Sequence, residues 1–159
     1  YKKDSDDGLY RRSLYTFWKR TAPPPSMEIL NAPSREVSCV RRDQTNTPLQ
    51  ALVLLNDPQF LEASRQLAAH AIQTSTDKNA RIDFITKRLL NRNLEDTERK
   101  IITASLTDIS ATFEKNPEAA DYLIATGATS PDASIPPADL AIWTLIASQI
   151  LNLDETLTH

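Results

Sequence analysis

The sequence predicts an all-α fold, an irregular bundle of about six to seven helices around a central apolar helix near the C-terminus. Only 2 glycines occur among 159 residues, and few glycines disfavour hairpin-rich β folds. The 10 prolines stand mainly outside the stretches of helical periodicity, where they punctuate helices rather than break them. The third observation is a stretch over 138–152 that is apolar on almost every side, which is typical of a central helix.

Length and composition favour one folded domain. With 40% apolar and 25% charged residues the chain is globular rather than disordered, and its length is sufficient for one hydrophobic core. We therefore predict a single helical domain over 1–159. Because it starts at Tyr1 rather than Met, we expect it to be the C-terminal part of a larger domain and protein. No apolar run reaches the roughly 18 residues that a membrane span needs.

The N-terminal third is predicted to be the least regular part. Residues 1–8 are charged, and we expect them to be frayed. Residues 9–20 have the spacing of an amphipathic helix, with Leu14 and Phe17 on its apolar face. Three prolines follow this stretch, so residues 21–46 are predicted to be an extended or irregular segment.

Two helices should follow at once. Thr47 is a predicted N-cap with Pro48 at the first helical position, and the apolar sequence to residue 56 places this helix in the core. Asp57 caps the next helix, which should run to about residue 74. Its polar residues predicted to face solvent are Glu62, Arg65, Gln66 and Gln73.

Three further helices are expected before the apolar one. Asp77 and Asn93 are the predicted caps of the first two, and Pro117 begins the third. Gly127 should end this third helix as a left-handed cap, and residues 128–137 read as a loop.

The last predicted helix runs from about Ala138 to Asn152 and is followed by two acids. Asp154 and Glu155 would oppose the dipole of a helix that ends just before them. We therefore expect them to form salt bridges inside the fold. The proposed partners are either Arg11 and Arg12 or Arg41 and Arg42.

The sequence contains no recognisable catalytic or metal-binding set, which leaves open whether the chain is part of an enzyme. His70 has no second ligand at helical spacing, and Cys39 is the only cysteine. No CxxCH motif is present, so we predict no metal and no haem in this chain. Cys39 is interpreted as a small buried apolar residue rather than as a nucleophile.

The charge distribution raises the question of an anionic partner. Residues 1–45 have a net charge of +3 and residues 46–159 of −6. Either the two parts neutralise each other, or the basic part meets an anion. The pI of about 5.4 argues against nucleic acid.

The basic stretch at 34–46 holds the candidate ligand-binding residues. Its arginines suit bidentate contact with an anion, or with carboxylates and helix C-termini inside the fold. The candidates are Arg35, Arg41, Arg42, Glu36 and Asn46.

Three long segments carry a family resemblance: RRSLYTFWKRTAPPPSM, APSREVSCVRRDQTNTPLQALVLLNDPQFLEASRQLA and AIWTLIASQILNLDETLT. They resemble the C-terminal domain of unknown function, of the PSD type, in large secreted planctomycete proteins. In those proteins the domain follows a cytochrome-c-like module and another uncharacterised domain. The family supplies no established catalytic residues to carry over.

The resemblance implies an extracytoplasmic, periplasmic or secreted location and a multidomain parent protein. Partners would be other domains or chains of that parent, and haem would lie only in another domain. Two functions are compatible with it. The first is a structural or interaction domain that supports a redox module. The alternative is part of an enzyme or binding protein that acts on an anionic, sulfated polysaccharide.

Overall fold

The computed structural model describes residue 8, residues 10–19 and residues 21–158. Within these residues the fold is 64% helical, with eight α-helices and no strand, which confirms the predicted all-α class. The helices are α1 (Pro25–Ile29), α2 (Pro48–Asn56), α3 (Pro58–Thr74), α4 (Lys78–Leu89), α5 (Asp96–Lys115), α6 (Pro117–Ile124), α7 (Pro137–Leu151) and α8 (Asp154–Thr158).

Helix α7 is the centre of the bundle, as its all-round apolar sequence predicts. It packs against α3, α5 and α6 and also contacts α2 and α4. Trp143 and Ile146 are buried in the resulting core, together with Leu140 and Ile150. Even Thr144 is buried there, because its hydroxyl donates to the Leu140 carbonyl one turn back at 2.7 Å.

Local capping sets the helix starts. Thr47 and Gln50 form the predicted reciprocal capping box: the Gln50 amide donates to the Thr47 hydroxyl at 3.3 Å, and the Thr47 amide donates to the Gln50 side chain at 2.9 Å. Asp57 and Asp77 cap α3 and α4 as predicted. The predicted cap at Asn93 is wrong, since Glu95 occupies the N-cap of α5.

The predicted amphipathic helix over 9–20 is wrong for the residues that the structure describes. Ser13–Tyr15 form a short 3-10 helix, Gly8 and Tyr10 also have 3-10 geometry, and none of the described residues 10–19 is α-helical. Leu14 and Phe17 are exposed to 73% and 69%. A helix of this length is marginal in water unless a body buries its apolar face, and no described element covers it.

The core position predicted for α2 is also wrong. Only Gln50 and Leu54 are buried on this helix, whereas Leu49, Leu52 and Leu55 are exposed. The helix lies at the edge of the bundle, against α1, α3 and α7. Some of its apolar residues therefore lie in the core and others lie on the surface.

The segment 21–46 contains α1 and otherwise no helix or strand. Cys39 is exposed, so its predicted burial is wrong. No described helix is both long and apolar enough to span a membrane. Of the residues predicted to be frayed, 1–7 lie outside the described part of the chain.

Candidate functional site

The candidate ligand-binding residues lie in residues 34–46, which we call the arginine loop. Side-chain amides anchor the loop at two points. The Asn31 amide donates to the Thr45 hydroxyl at 2.6 Å and to the Asp43 carbonyl at 3.3 Å. The Asn46 amide donates to the Asp154 carboxylate at 2.8 Å, which ties the end of the loop to α8. The loop is thus held on the surface by side-chain amides rather than by burial.

Arg35 fastens the N-terminal segment to the loop. Its guanidinium donates to the carbonyls of Ser13 at 2.7 Å and Thr16 at 3.4 Å. The same group stacks over Trp18, 5.2 Å from the ring centre. The Arg35 backbone has φ +62°, a strained conformation for a long side chain, which the surrounding contacts must hold.

Arg42 and Arg41 differ in the hydrogen bonds that their guanidinium groups form. The Arg42 guanidinium donates to the Leu30 carbonyl at 2.7 Å, directly after α1, where arginine stabilises a helix C-terminus. The Arg41 guanidinium has no hydrogen bond or ion pair to the described residues. Both line a solvent-open cleft of about 280 Å³ with Asp43, Gln44 and Leu157 of α8.

The five candidate residues do not converge on one site. Arg35 and Glu36 line a different open cleft, of about 420 Å³, beside Trp18 and Ser34. Asn46 donates to Asp154 and is not among the residues that line either cleft. The loop therefore offers guanidinium groups to solvent at two separate places.

A buried ion pair, which sequence reasoning missed, lies on α3. Glu62 and Arg65 were predicted to face solvent, and this is wrong, since both are about 2% exposed. Glu62 accepts hydrogen bonds from the main-chain amides of Ala128 at 2.7 Å and Thr129 at 2.9 Å, and from the Thr129 hydroxyl. These amides belong to the connection between α6 and α7.

Arg65 forms hydrogen bonds to the carbonyls at the end of α6 and in its connection to α7. It donates to the carbonyls of Ile124, Thr126 at 3.0 Å and Thr129 at 2.6 Å. Main-chain groups buried without a partner are costly, and the end of α6 supplies several of them. Both charged side chains are buried because they form the hydrogen bonds that the main-chain amides and carbonyls of this turn need.

Hydrogen bonding decides the protonation of this cluster. Burial alone would raise the pKa of Glu62, but bonds from Thr129, Tyr10 and the two main-chain amides outweigh it and lower the pKa to about 2. Desolvation and the hydrogen bond to Glu62 raise the pKa of Tyr10 to about 12. Glu62 is therefore ionised and Tyr10 neutral, and the pair links the N-terminal segment to α3.

Gly127 lets the turn approach Glu62. It has φ +120°, and a Cβ atom there would lie 2.6 Å from the Glu62 carboxylate oxygen Oε2. Helix α6 already ends at Ile124, so the predicted role of Gly127 as the helix cap is wrong. The glycine is required by the close approach of the turn to the buried carboxylate.

Most of the exposed large apolar residues belong to the first third of the chain. The described part of the chain has twelve such residues, of which nine lie between residues 10 and 55, and none of the described residues before Gln50 is buried. We call these nine the N-terminal apolar surface. They are Tyr10, Leu14, Tyr15, Phe17, Val37, Val40, Leu49, Leu52 and Leu55.

Comparison with known proteins places this part of the chain in a family. The PSD1 family, described as a protein of unknown function (DUF1553), matches residues 1–106, two thirds of the chain. The chain belongs to the PSD1 family. No curated protein and no solved structure matches it significantly. The PSD1 match includes the arginine loop and the N-terminal apolar surface, and it ends within α5.

In this PSD1 chain the two acids after α7 have other partners than those predicted. Arg92 binds Glu155 with Nε at 2.9 Å and Nη2 at 2.6 Å, and binds both carboxylate oxygens of Glu98 at 2.8 Å. Asp154 instead accepts from Asn46. Both acids lie in the first turn of α8, where negative charge complements the helix dipole. The prediction that they oppose the dipole of the preceding helix is therefore wrong.

The Arg92 network ties the start of α5 to α8. The hydrogen bonds from Arg92 lower the pKa of Glu98 to about 2, and both carboxylates raise the pKa of Arg92. Among the described residues of the PSD1 chain, no group of three or more His, Cys, Asp or Glu is arranged to hold a metal ion. The described surface offers exposed apolar side chains and guanidinium donors.

Proposed function

We propose that this PSD1-family chain is a structural or interaction domain that packs against another domain of its parent protein through the N-terminal apolar surface. The observation that carries the proposal is the concentration of exposed apolar residues before residue 56, in a stretch where Gln50 and Leu54 are the only described residues that are buried. A concentration of exposed large apolar side chains is typical of an interaction site.

Helix α2 supplies a shape that a partner can recognise. Leu49, Leu52 and Leu55 are spaced by three residues and therefore lie along one helix face. An apolar helix face of this kind fits into a groove between elements of a partner. The aromatic residues of the segment 10–17 add the side chains that most often anchor protein interfaces.

The positive charge of this part of the chain indicates what kind of partner surface would bind it. Residues 1–45 have a net charge of +3, and the basic side chains Arg11, Arg12 and Lys19 flank the exposed aromatics. A surface with an apolar centre and an acidic rim is complementary to this arrangement. We assign that surface to a neighbouring domain of the parent, rather than to nucleic acid.

The family resemblance supplies the setting of the proposal. In secreted planctomycete proteins of this type the neighbours include a cytochrome-c-like module. The proposed domain would then be extracytoplasmic and would hold a redox module in position, with haem bound in that module and not in this chain.

The proposal is tested by placing one charge on α2 in two contexts. Leu52→Lys should leave the unfolding free energy of the chain alone within about 0.5 kcal/mol, because Leu52 is exposed. In the intact parent the same change should destabilise the domain by about 2 kcal/mol or more, because the leucine is buried at an interface.

Ile101→Lys is the matched control, since Ile101 is 68% exposed on α5, outside the N-terminal apolar surface. It should be neutral in both contexts. Equal effects of Leu52→Lys on the chain alone and on the parent would refute the proposal.

An anionic, sulfated polysaccharide is the second candidate partner, for a binding protein or for part of an enzyme. The observation that favours it is the cleft at Arg41 and Arg42, where the Arg41 guanidinium faces solvent without an ion pair to the described residues. Calorimetry with a sulfated oligosaccharide tests it. The account requires heat of binding that disappears in the double variant Arg41→Ala and Arg42→Ala.

A further inference from the structure

We propose that Arg41 and Arg42 form a binding site for a single oxyanion group, such as sulfate, phosphate or carboxylate, between the arginine loop and α8. The inference rests on the second candidate function in taking the cleft as an anion site. It goes further by naming a single oxyanion group as the ligand of the two guanidinium groups, whatever larger molecule carries that group.

The donors for such a group are present and largely unused. A guanidinium carries five N–H donors in a planar fork. Arg42 uses one contact, to the Leu30 carbonyl at 2.7 Å, which fixes the direction of its side chain. Arg41 uses none toward the described residues. The Arg42 guanidinium is held in place, and the adjacent Arg41 guanidinium can move toward a ligand. Together they can donate to the several oxygens of a tetrahedral anion.

The frame of the cleft is already ordered. The bonds from Asn31 hold the loop at Asp43 and Thr45, and the bond from Asn46 to Asp154 brings α8 beside it. Leu157 of α8 forms the apolar wall of the cleft. An anion that binds here does not have to order the loop, and this lowers the cost of binding.

The charge balance also favours an anion. Arg41 and Arg42 face one carboxylate in the cleft, that of Asp43, so the lining residues leave a net charge of +1. Neither arginine takes part in an ion pair that joins described residues. By contrast, Arg92 and Arg99 elsewhere in the chain are neutralised by carboxylates at 2.5–2.8 Å. The cleft is therefore a place where positive charge is left for a ligand.

A titration with inorganic sulfate tests the site directly. Sodium sulfate is added at constant ionic strength, with sodium chloride as the balancing salt, and the arginine Nε–Hε signals are followed by NMR. We expect saturable shifts of two side-chain signals, with a Kd on the order of 10 mM, because two charge-assisted contacts at an exposed site bind an ion weakly. Chloride should not saturate them.

Single and double variants locate the response. Arg41→Ala should weaken sulfate binding by about fivefold or more and leave the thermal midpoint unchanged, because Arg41 has no hydrogen bond or ion pair within the described fold. Arg41→Ala with Arg42→Ala should abolish saturation. The matched control is Arg11→Ala with Arg12→Ala, which removes the same charge from another exposed position and should keep the wild-type Kd.

Three outcomes would overturn the inference. The first is unchanged binding in Arg41→Ala with Arg42→Ala. The second is an equal loss in the Arg11 and Arg12 control, which would indicate diffuse charge attraction. The third is a linear, non-saturating response of the wild type.

Parallel titrations with inorganic phosphate and with a sulfated oligosaccharide distinguish the sources of the oxyanion. If sulfate binds but the oligosaccharide binds no more tightly than sulfate, the oxyanion site is supported and the polysaccharide function is refuted. If the oligosaccharide binds more tightly and depends on Arg41, both stand.

Discussion

At the scale of single residues, Glu62 and Arg65 hold the connection between α6 and α7. Each group is almost fully buried, and each one satisfies main-chain groups of residues 124–129. A buried pair of this kind adds little net stability over an apolar pair, but removal of one partner leaves an uncompensated charge. The pair therefore specifies the path of the turn, and its loss should be costly.

Arg65→Met tests this account. We expect the free energy of unfolding to fall by about 3–5 kcal/mol, because the Glu62 charge and three carbonyls lose their partner. Lys100→Met removes a cation from an exposed position on α5 and should change stability by no more than about 0.5 kcal/mol. Urea denaturation of both variants measures the difference, and similar midpoints would contradict the role of the pair.

The pH dependence follows from the lowered pKa of Glu62. Its folded-state pKa is about 2 against an ordinary value of 4.5, so the stabilisation is present above pH 4.5 and is lost as the pH falls toward 2. The linked loss for this group is about 3 kcal/mol at most. Glu62→Gln should flatten the decline of stability between pH 5 and pH 2. Glu114→Gln, an exposed acid on α5, should keep the wild-type slope; two equal slopes would show that Glu62 is not the responsible group.

Gly127→Ala is a steric prediction at the same site. A Cβ atom would meet the Glu62 carboxylate at 2.6 Å, and the positive φ is unfavourable for alanine. We expect a loss of about 1–3 kcal/mol. The control is Glu114→Ala, at an exposed position on α5, which should change stability by no more than about 0.5 kcal/mol. Thermal unfolding should separate the two variants, and a neutral Gly127→Ala would mean that the turn does not approach α3 as described.

At the scale of elements, α2 has one face in the bundle and one face in solvent. Leu54 is 3% exposed, whereas Leu52, two residues earlier, is 55% exposed. Two chemically identical residues on one helix therefore have different surroundings. This difference defines where the core stops and the N-terminal apolar surface begins.

Leu54→Ala and Leu52→Ala form a matched pair of variants. Leu54→Ala should destabilise the chain by about 2–5 kcal/mol, because it leaves a cavity against the core. Leu52→Ala should cost no more than about 0.5 kcal/mol. Chemical denaturation of the chain alone gives both values. If the two losses were equal, α2 would be packed on both faces, and its exposed leucines could not serve a partner.

At the scale of the whole molecule, the features encoded locally were predictable and those set by distant contacts were not. The capping box at Thr47 and the central position of α7 follow from neighbouring residues and from uniform apolarity. The burial of Glu62 and Arg65 does not, because it depends on the unpaired main-chain groups of a turn about 60 residues away along the chain. Helical spacing alone reads both residues as solvent-facing.

The same limit explains the N-terminal third and the candidate site. An apolar stripe shows that a face needs a partner but not whether the partner is the bundle or another molecule, so α2 and residues 9–20 were placed wrongly. Arg35, Arg41 and Arg42 were identified as a group by composition. Their separation into two clefts depends on the bonds from Arg35 to Ser13 and from Arg42 to Leu30, which no local pattern encodes.

The central claim is that the N-terminal apolar surface is covered in the intact parent protein, and hydroxyl-radical footprinting of that protein tests it most directly. The account predicts that Tyr15, Phe17 and Leu52 are labelled in the chain alone and protected in the parent. Tyr122 and Ile101, exposed on α6 and α5, should be labelled equally in both. Equal labelling of Phe17 and Leu52 in the chain and in the parent would contradict the claim.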